Sequence, residues 1–109
     1  MLLHFECQEP TVAYVYILTN DNNTVLYTGF TDTLAKRIHL HKRRLLKGFT
    51  KKYNCHRLIY WERFPDVKAA RLRERQIKGK TRDKKIALIN IANPLWNELP
   101  VVLCEHSGL

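Results

Sequence analysis

The sequence predicts an α/β (α+β) domain in which a three-stranded antiparallel sheet is flanked by helices, in the order β-β-α-β-α-α. Two β-rich runs, 12–19 and 25–28, flank a polar cluster of Asn and Asp residues, which is typical of a hairpin. After residue 31 the apolar residues recur at helical spacing, until a third β-rich run at 58–62 supplies the last strand. A chain of 109 residues fits one such domain with a single modest core.

The first strand is expected to lie at the centre of the sheet. Side chains of a strand alternate between its two faces. One face therefore carries Val12, Tyr14, Tyr16 and Leu18, and the other carries Ala13, Val15 and Ile17. Both sets are apolar enough to be largely covered, and only a central strand is covered on both faces.

Three helices are predicted. The first, of about fifteen residues, starts at the N-cap candidates Thr31–Thr33 and ends before Gly48. Residues 49–57 are expected to form a basic loop with interleaved aromatic side chains. Asp66 is expected to cap the second helix and Thr81 the third, since both residues precede helical patterns.

The chain divides into an irregular lead-in at 1–11, the domain itself at 12–99 and a C-terminal tail at 100–109. The lead-in is expected to pack its apolar residues on the domain. No apolar run approaches the ~18 residues of a membrane span, and the start of the chain lacks the basic and apolar regions of a signal peptide. We therefore expect a cytoplasmic protein that does not enter a membrane.

The three cysteines, Cys7, Cys55 and Cys104, are far apart in the sequence and form no C-x-x-C pair. Their odd number and their spacing indicate neither a disulfide framework nor a zinc ribbon. We expect all three to be reduced and structural.

The basic residues are concentrated in one part of the chain. All 19 Lys and Arg lie between Lys36 and Lys85, where four acidic residues oppose them, so this segment carries +15 and its flanks carry −6. Such asymmetry indicates a polyanionic partner, and nucleic acid is the first choice. An anionic membrane surface is the weaker alternative, because no lipidation motif or amphipathic terminal helix accompanies the charge.

Five segments of the chain resemble a GIY-YIG nuclease domain, in particular the small stand-alone bacterial members of that family. In chain order they are Val15–Leu18, Leu26–Gly29, Leu34–Ile38 with His41, Ala70–Lys78 and Asn93–Trp96. The resemblance covers roughly residues 12–99. The first signature triplet, Tyr14–Tyr16, lacks its glycine, and the second, Tyr27–Gly29, has threonine for isoleucine. Both changes keep the tyrosines and the last glycine.

This resemblance implies a metal-dependent endonuclease that hydrolyses DNA phosphodiester bonds, in a process such as DNA repair or recombination. It implies catalytic roles for Tyr16, Tyr27, Arg37, His41 and Glu74. Glu74 would be the metal ligand, and a single carboxylate with phosphate oxygens and waters suits Mg²⁺ (or Mn²⁺). Arg37 would grip the scissile phosphate with a charge that it cannot lose.

The identity of the general base stays open at this point. By resemblance Tyr16 would be the base toward water, with Tyr27 assisting. A tyrosine pKa near ~10 matches neutral pH poorly, so this role requires a metal and cationic neighbours that favour the phenolate. His41 is the competing base, because imidazole titrates near neutral pH. His41 also lies on an apolar stripe, where it could equally be a core histidine.

DNA is the expected partner, although composition does not separate it from RNA. The lysines expected to contact it are Lys36, Lys42, Lys51, Lys52 and Lys78. A monomer is expected, since no obligate protein partner is evident. The alternative function is a nucleic-acid-binding module that keeps the fold with little activity of its own. A late asparagine of the family matches either Asn93 or Asn90.

Overall fold

The computed structural model of the protein describes residues 3–4, 12–43 and 48–102. Its strands are β1 (Leu3–His4), β2 (Ala13–Thr19), β3 (Leu26–Thr31), β4 (Arg57–Phe64) and β5 (Val101–Val102). Its helices are α1 (Leu34–Lys42), α2 (Phe49–Lys52), α3 (Val67–Lys78) and α4 (Arg82–Ala92). None of the helices in this described part of the chain has the length and apolar character needed to cross a membrane.

The main sheet has the strand order β3-β2-β4, and both pairings are antiparallel. The predicted three-stranded sheet and the central position of its first strand are therefore confirmed. Tyr16 at the middle of β2 lies opposite Gly29 on β3 and opposite Trp61 on β4. The β2–β4 ladder is irregular beside Ile17, and Ile59 on β4 has no partner in the register.

The alternation of β2 produces two cores, one on each face of the sheet. Tyr14, Tyr16 and Leu18 pack with residues of α1, whereas Ala13, Val15 and Ile17 pack with residues of α3 and α4. The partners on the first side include Leu34 and Ile38, and those on the second include Ala70, Ile77 and Ile89. The faces predicted for this strand are confirmed, and they place Tyr16 on the side of the sheet that α1 covers.

Helix α1 is shorter than the sequence predicts. It ends at Lys42, where the backbone N–H of Arg43 donates to the carbonyls of His39 and His41 and closes the last turn. The rest of the predicted helix falls on residues 44–47, which lie outside the described part. At its start the N-cap is Thr33, as the pattern indicates, but no side chain accepts a hydrogen bond from the first turn.

The predicted basic loop at 49–57 is wrong in its first half, which forms helix α2. Gly48 precedes it with φ of 100°, a conformation that suits glycine. The backbone N–H of Lys52 donates to Gly48 O at 3.0 Å, and that of Tyr53 donates to Phe49 O at 3.0 Å. One turn of helix is too short to leave a periodic apolar signal, so the sequence pattern does not show it.

Helices α3 and α4 begin where the sequence predicts. The Asp66 carboxylate accepts from the backbone N–H of Ala69 at 2.8 Å, and the Thr81 hydroxyl accepts from that of Lys84 at 3.3 Å. Both are N-cap contacts that satisfy donors of the first helical turn. They fix the residues at which α3 and α4 begin.

The two ends of the chain meet in a second, two-stranded sheet, in which β1 pairs in parallel with β5. The lead-in is therefore not irregular at Leu3–His4, and a pairing between such distant residues leaves no local sequence signal. Of the cysteines, Cys55 is buried and free, as expected. Cys7 and Cys104 lie outside the described residues.

Candidate active site

Four elements provide the predicted site residues around Tyr16 of the central strand. Strand β2 provides Tyr16, β3 provides Tyr27, α1 provides Arg37 and His41, and α3 provides Glu74. Tyr16 and Tyr27 have ring centroids 6.2 Å apart, and the His41 ring lies 6.0 Å from Tyr16 and 5.8 Å from Tyr27. The three rings thus form one cluster on the α1 side of the sheet.

The Tyr16 phenol fits because its neighbour on β3 has no side chain. A Cβ built on Gly29 would lie 2.6 Å from the Tyr16 hydroxyl oxygen and 2.7 Å from Cζ, both far inside normal contact distances. The same atom would meet the Tyr27 ring at 3.1 Å. The glycine that closes the second signature triplet therefore makes room for the tyrosine that closes the first.

His41 connects Tyr16 to α2 through hydrogen bonds on both ring nitrogens. Its Nε2 lies 3.3 Å from the Tyr16 hydroxyl, and its Nδ1 lies 3.0 Å from the Thr50 hydroxyl. Tyr16, His41 and Thr50 are all buried. In the tautomer whose Nδ1–H donates to Thr50, Nε2 accepts a hydrogen bond from the Tyr16 hydroxyl. His41 is thus both buried and hydrogen-bonded, directly against the phenol.

Burial shifts both groups toward their neutral forms. It raises the pKa of Tyr16 well above its ordinary value, reinforced by Tyr27 and opposed by the positive charge of Arg37. Burial, together with the positive charge of Arg37, lowers the pKa of His41 to about 4. At neutral pH the free protein therefore holds a protonated phenol against a neutral imidazole.

Arg37 and Glu74 lie within electrostatic reach of the Tyr16 phenol, since Arg37 lowers its pKa and Glu74 raises it. The Glu74 side chain is only 14% exposed and pairs with Lys78 one turn on, at 3.1 Å. Next to it Arg73 donates to Glu62 on β4 through Nε at 2.9 Å and Nη2 at 3.0 Å. This bidentate pair fixes the rotation of α3 that turns Arg73 toward the sheet.

The described residues contain no group of three or more His, Cys, Asp or Glu side chains suited to a metal ion. The carboxylate of Glu74 is the donor available beside Tyr16. One carboxylate completed by waters and phosphate oxygens is a donor set that Mg²⁺ accepts. Lys78 competes for the same carboxylate, but its side chain is 52% exposed and free to turn toward solvent.

The structure adds two neighbours that the sequence did not single out, both on α2. Thr50 holds the second nitrogen of His41, and Phe49 stacks on Tyr27 with centroids 6.0 Å apart and planes at 28°. The mixture of aromatic and basic residues at 49–57 was the available signal for Phe49. No local pattern marks Thr50, because its role depends on where α1 and α2 meet.

The predicted DNA-binding lysines lie in different surroundings. All five are exposed: Lys36, Lys42, Lys51, Lys52 and Lys78. Lys42 is engaged in an ion pair with Glu98, and Lys78 in the pair with Glu74. Lys52 places its ammonium 5.3 Å from the centre of the Tyr53 ring.

Asn93 and Asn90 are separated by burial. Asn93 is 7% exposed, and its amide donates to Ile59 O at 2.9 Å and to Asn97 O at 2.8 Å. Its Oδ1 accepts from the backbone N–H of Asn97 at 3.1 Å. Asn90 is exposed and accepts from the Trp96 indole N–H at 2.6 Å. Asn93 therefore provides a hydrogen bond to β4 at Ile59, the residue that lacks a partner in the β2–β4 ladder.

The chain matches the family model of the GIY-YIG catalytic domain over residues 12–87. It is 39% identical over 77 residues to a UPF0213 protein of Clostridium perfringens (strain 13 / Type A), covering 71% of this chain and 82% of that protein. It is 36% identical over 76 residues to a UPF0213 protein of Natronomonas pharaonis, covering 70% and 88%.

A solved structure is also similar. The solution NMR structure of a UPF0213 protein from Bacillus halodurans superimposes with a TM-score of 0.52 at 28% identity, covering 80% of this chain and 92% of that chain. The match to the catalytic domain extends from the start of the hairpin into α4 and confirms the resemblance; it contains the first four of the five sequence segments, and Asn93–Trp96 lies beyond it. The chain therefore belongs to the GIY-YIG catalytic domain family.

Proposed function

We propose that the protein is a metal-dependent endonuclease that hydrolyses DNA phosphodiester bonds. Membership of the GIY-YIG family suggests a nuclease. The observation that carries the proposal is the cluster around one phenol: Tyr16 lies against Tyr27 and His41, within electrostatic reach of Arg37 and Glu74. A base, a phosphate-binding cation and a metal-binding carboxylate are the groups that phosphodiester hydrolysis requires.

Arg37 would hold the scissile phosphate. Its guanidinium stays charged at any pH of interest and binds two phosphate oxygens at once. The negative charge that develops on phosphorus would be stabilised by this cation in a site where Tyr16 and His41 are buried, and a drier site strengthens such an interaction. Arg37 already acts on both residues electrostatically, which supports a position beside the reacting atoms.

Tyr16 and His41 would move the proton of the attacking water as a pair. The Tyr16 oxygen accepts the water proton while its own proton passes to Nε2 of His41 along the 3.3 Å contact. The water oxygen forms the new bond to phosphorus, and the bond from phosphorus to the leaving oxygen breaks. The low pKa of His41 in the free protein would rise when the anionic phosphate enters, since a nearby negative charge favours the imidazolium.

Glu74 would hold the divalent metal ion, Mg²⁺ or Mn²⁺. The bound ion would polarise the phosphate and stabilise the leaving oxygen. Lys78 would release the carboxylate and turn toward the DNA backbone. The exposed lysines Lys36, Lys51 and Lys52 would add further phosphate contacts, so that binding weakens steeply as salt concentration rises.

The test is cleavage of supercoiled plasmid and of single-stranded DNA, with and without Mg²⁺ or Mn²⁺, by the native chain and by Glu74→Gln. The matched control is Glu98→Gln, which removes the same charge from an exposed ion pair. We expect metal-dependent cutting that Glu74→Gln abolishes and Glu98→Gln retains, while DNA binding persists in both. A folded native chain that binds DNA without cutting it would instead identify a binding module.

A further inference from the structure

In the described part of the chain, the exposed aromatic side chains are concentrated beside the candidate active site. Among the described residues, six large hydrophobic side chains are exposed, and two of these are aromatic. They are Phe49, which is 45% exposed, and Tyr53, which is 41% exposed. Their ring centroids lie 4.6 Å apart. The other four are aliphatic and lie on or after α3: Val67, Leu72, Ile91 and Leu95.

This aromatic pair is continuous with the cluster around Tyr16. Phe49 stacks on Tyr27 with centroids 6.0 Å apart, and Tyr27 in turn lies 6.2 Å from Tyr16. The row of rings therefore runs from a buried phenol outward to a half-exposed tyrosine. Packing alone does not require Phe49 and Tyr53 to leave nearly half of their surface in water, since apolar side chains are stabilised by burial.

The charged side chains of the segment that carries the aromatic pair are all basic. Residues 48–57 contain no Asp or Glu, and Lys51 and Lys52 are exposed on the turn between the two rings. The Lys52 ammonium lies 5.3 Å from the centre of the Tyr53 ring, within the range of a cation–π contact. A surface on which aromatic rings alternate with lysine ammonium groups suits a ligand in which flat ring systems alternate with negative charges.

We propose that Phe49 and Tyr53 form a stacking surface for the unpaired bases of single-stranded DNA, with Lys51 and Lys52 binding the adjacent phosphates. In a duplex the faces of the bases are already stacked on one another, so these rings would gain no partner there. In a single strand each base has a free face for an aromatic side chain. The inference rests on the proposed function, which places the scissile phosphate of the same strand beside Tyr16.

Binding without cutting separates the two proposals. Fluorescence anisotropy in EDTA would compare a short oligothymidylate, an abasic strand of the same length and a duplex of the same length. The variants are Tyr53→Leu and Phe49→Leu, which keep an apolar side chain but remove the ring, and thermal melting checks that each is folded. Leu95→Ala is the control, because it removes an exposed apolar side chain elsewhere on the surface.

We expect the native chain to bind oligothymidylate more tightly than the abasic strand or the duplex. Each ring variant should weaken oligothymidylate binding by about tenfold or more, and it should leave abasic and duplex binding within about twofold. Leu95→Ala should change none of them. Equal native binding to the thymidine and abasic strands, or equal losses on duplex and single strand, would overturn the stacking surface. Tighter binding to an RNA strand of the same length would overturn its assignment to DNA.

The outcome is independent of the nuclease test. If Glu74→Gln and the native chain both fail to cut while the ring variants lose single-strand binding, the proposed function fails and the stacking surface stands. If the native chain cuts and the ring variants bind normally, the stacking surface alone fails.

Discussion

Replacing Gly29 with alanine should displace the phenol of Tyr16. The added Cβ would lie 2.6 Å from the Tyr16 oxygen, whereas ordinary contact begins near 3.4 Å, so the two must separate by roughly 0.8 Å. Gly29 does not have a positive φ, so the backbone itself accepts alanine and the cost is one of space. Tyr16 is 2% exposed and has little room to retreat.

The expected loss of stability is that of overpacking a core, about 1–3 kcal/mol, which corresponds to a melting temperature lower by about 4–15 °C. A displacement approaching 1 Å at a reacting group costs on the order of 10²-fold in rate. Both quantities are measured on one preparation, by thermal unfolding and by metal-dependent DNA cleavage. The melting measurement needs no activity, so it tests the packing even if the protein does not cut.

Gly79→Ala is the matched control. At Gly79 the nearest atom to an added Cβ is Arg75 O at 3.4 Å, and φ and ψ of −77° and −9° are open to alanine. This variant should be unchanged or more stable by about 0.4–1 kcal/mol, with full activity. If Gly29→Ala melts and cuts like Gly79→Ala, the close approach of Gly29 to Tyr16 does not hold the phenol in place.

Two further predictions concern His41 and Asn93. The folded protein keeps the pKa of His41 near 4, whereas a histidine of the unfolded chain titrates near ~6.5, so unfolding takes up a proton between these pH values. The free energy of unfolding should therefore fall by at most about 3 kcal/mol as the pH drops from about 6.5 to 4. Urea unfolding at both pH values should show that His41→Gln loses this part of the pH dependence and that the exposed His39→Gln keeps it. Asn93→Ala should destabilise the protein by about 1–3 kcal/mol, since it leaves the Ile59 carbonyl without its partner. Asn90→Ala, at an exposed position, should cost less. Equal losses in the free energy of unfolding, measured by chemical denaturation, would contradict the bridging role of Asn93.

Much of the site could be predicted because its residues stand in segments with strong local patterns. The alternation along β2 assigned Tyr16 to one face, and that face is the one that α1 covers. Helical spacing put His41 on an apolar stripe of α1, and its side chain is indeed buried there. Each of these inferences uses residues within about two turns or one strand, where backbone geometry alone fixes direction.

The contacts that complete the site depend on distant parts of the chain. Thr50 reaches His41, nine residues earlier, only because α2 turns back beside α1, and Phe49 reaches Tyr27 across 22 residues. The predicted length of α1 and the predicted basic loop were wrong at this same place. There α1 ends with its C-cap at Arg43, and a single helical turn follows Gly48. A one-turn helix carries too few residues for periodicity to reveal it.

The sequence by itself determined the hairpin and the central position of its first strand, the caps of α3 and α4 and the concentration of basic charge. Those features follow from side-chain alternation, helical spacing and counting, all of which are local. Only the tertiary structure decided that Tyr16 and His41 are neutral neighbours, because their pKa values depend on burial. It also decided that Phe49 and Tyr53 face solvent beside them, because exposure depends on which surfaces the folded chain leaves uncovered.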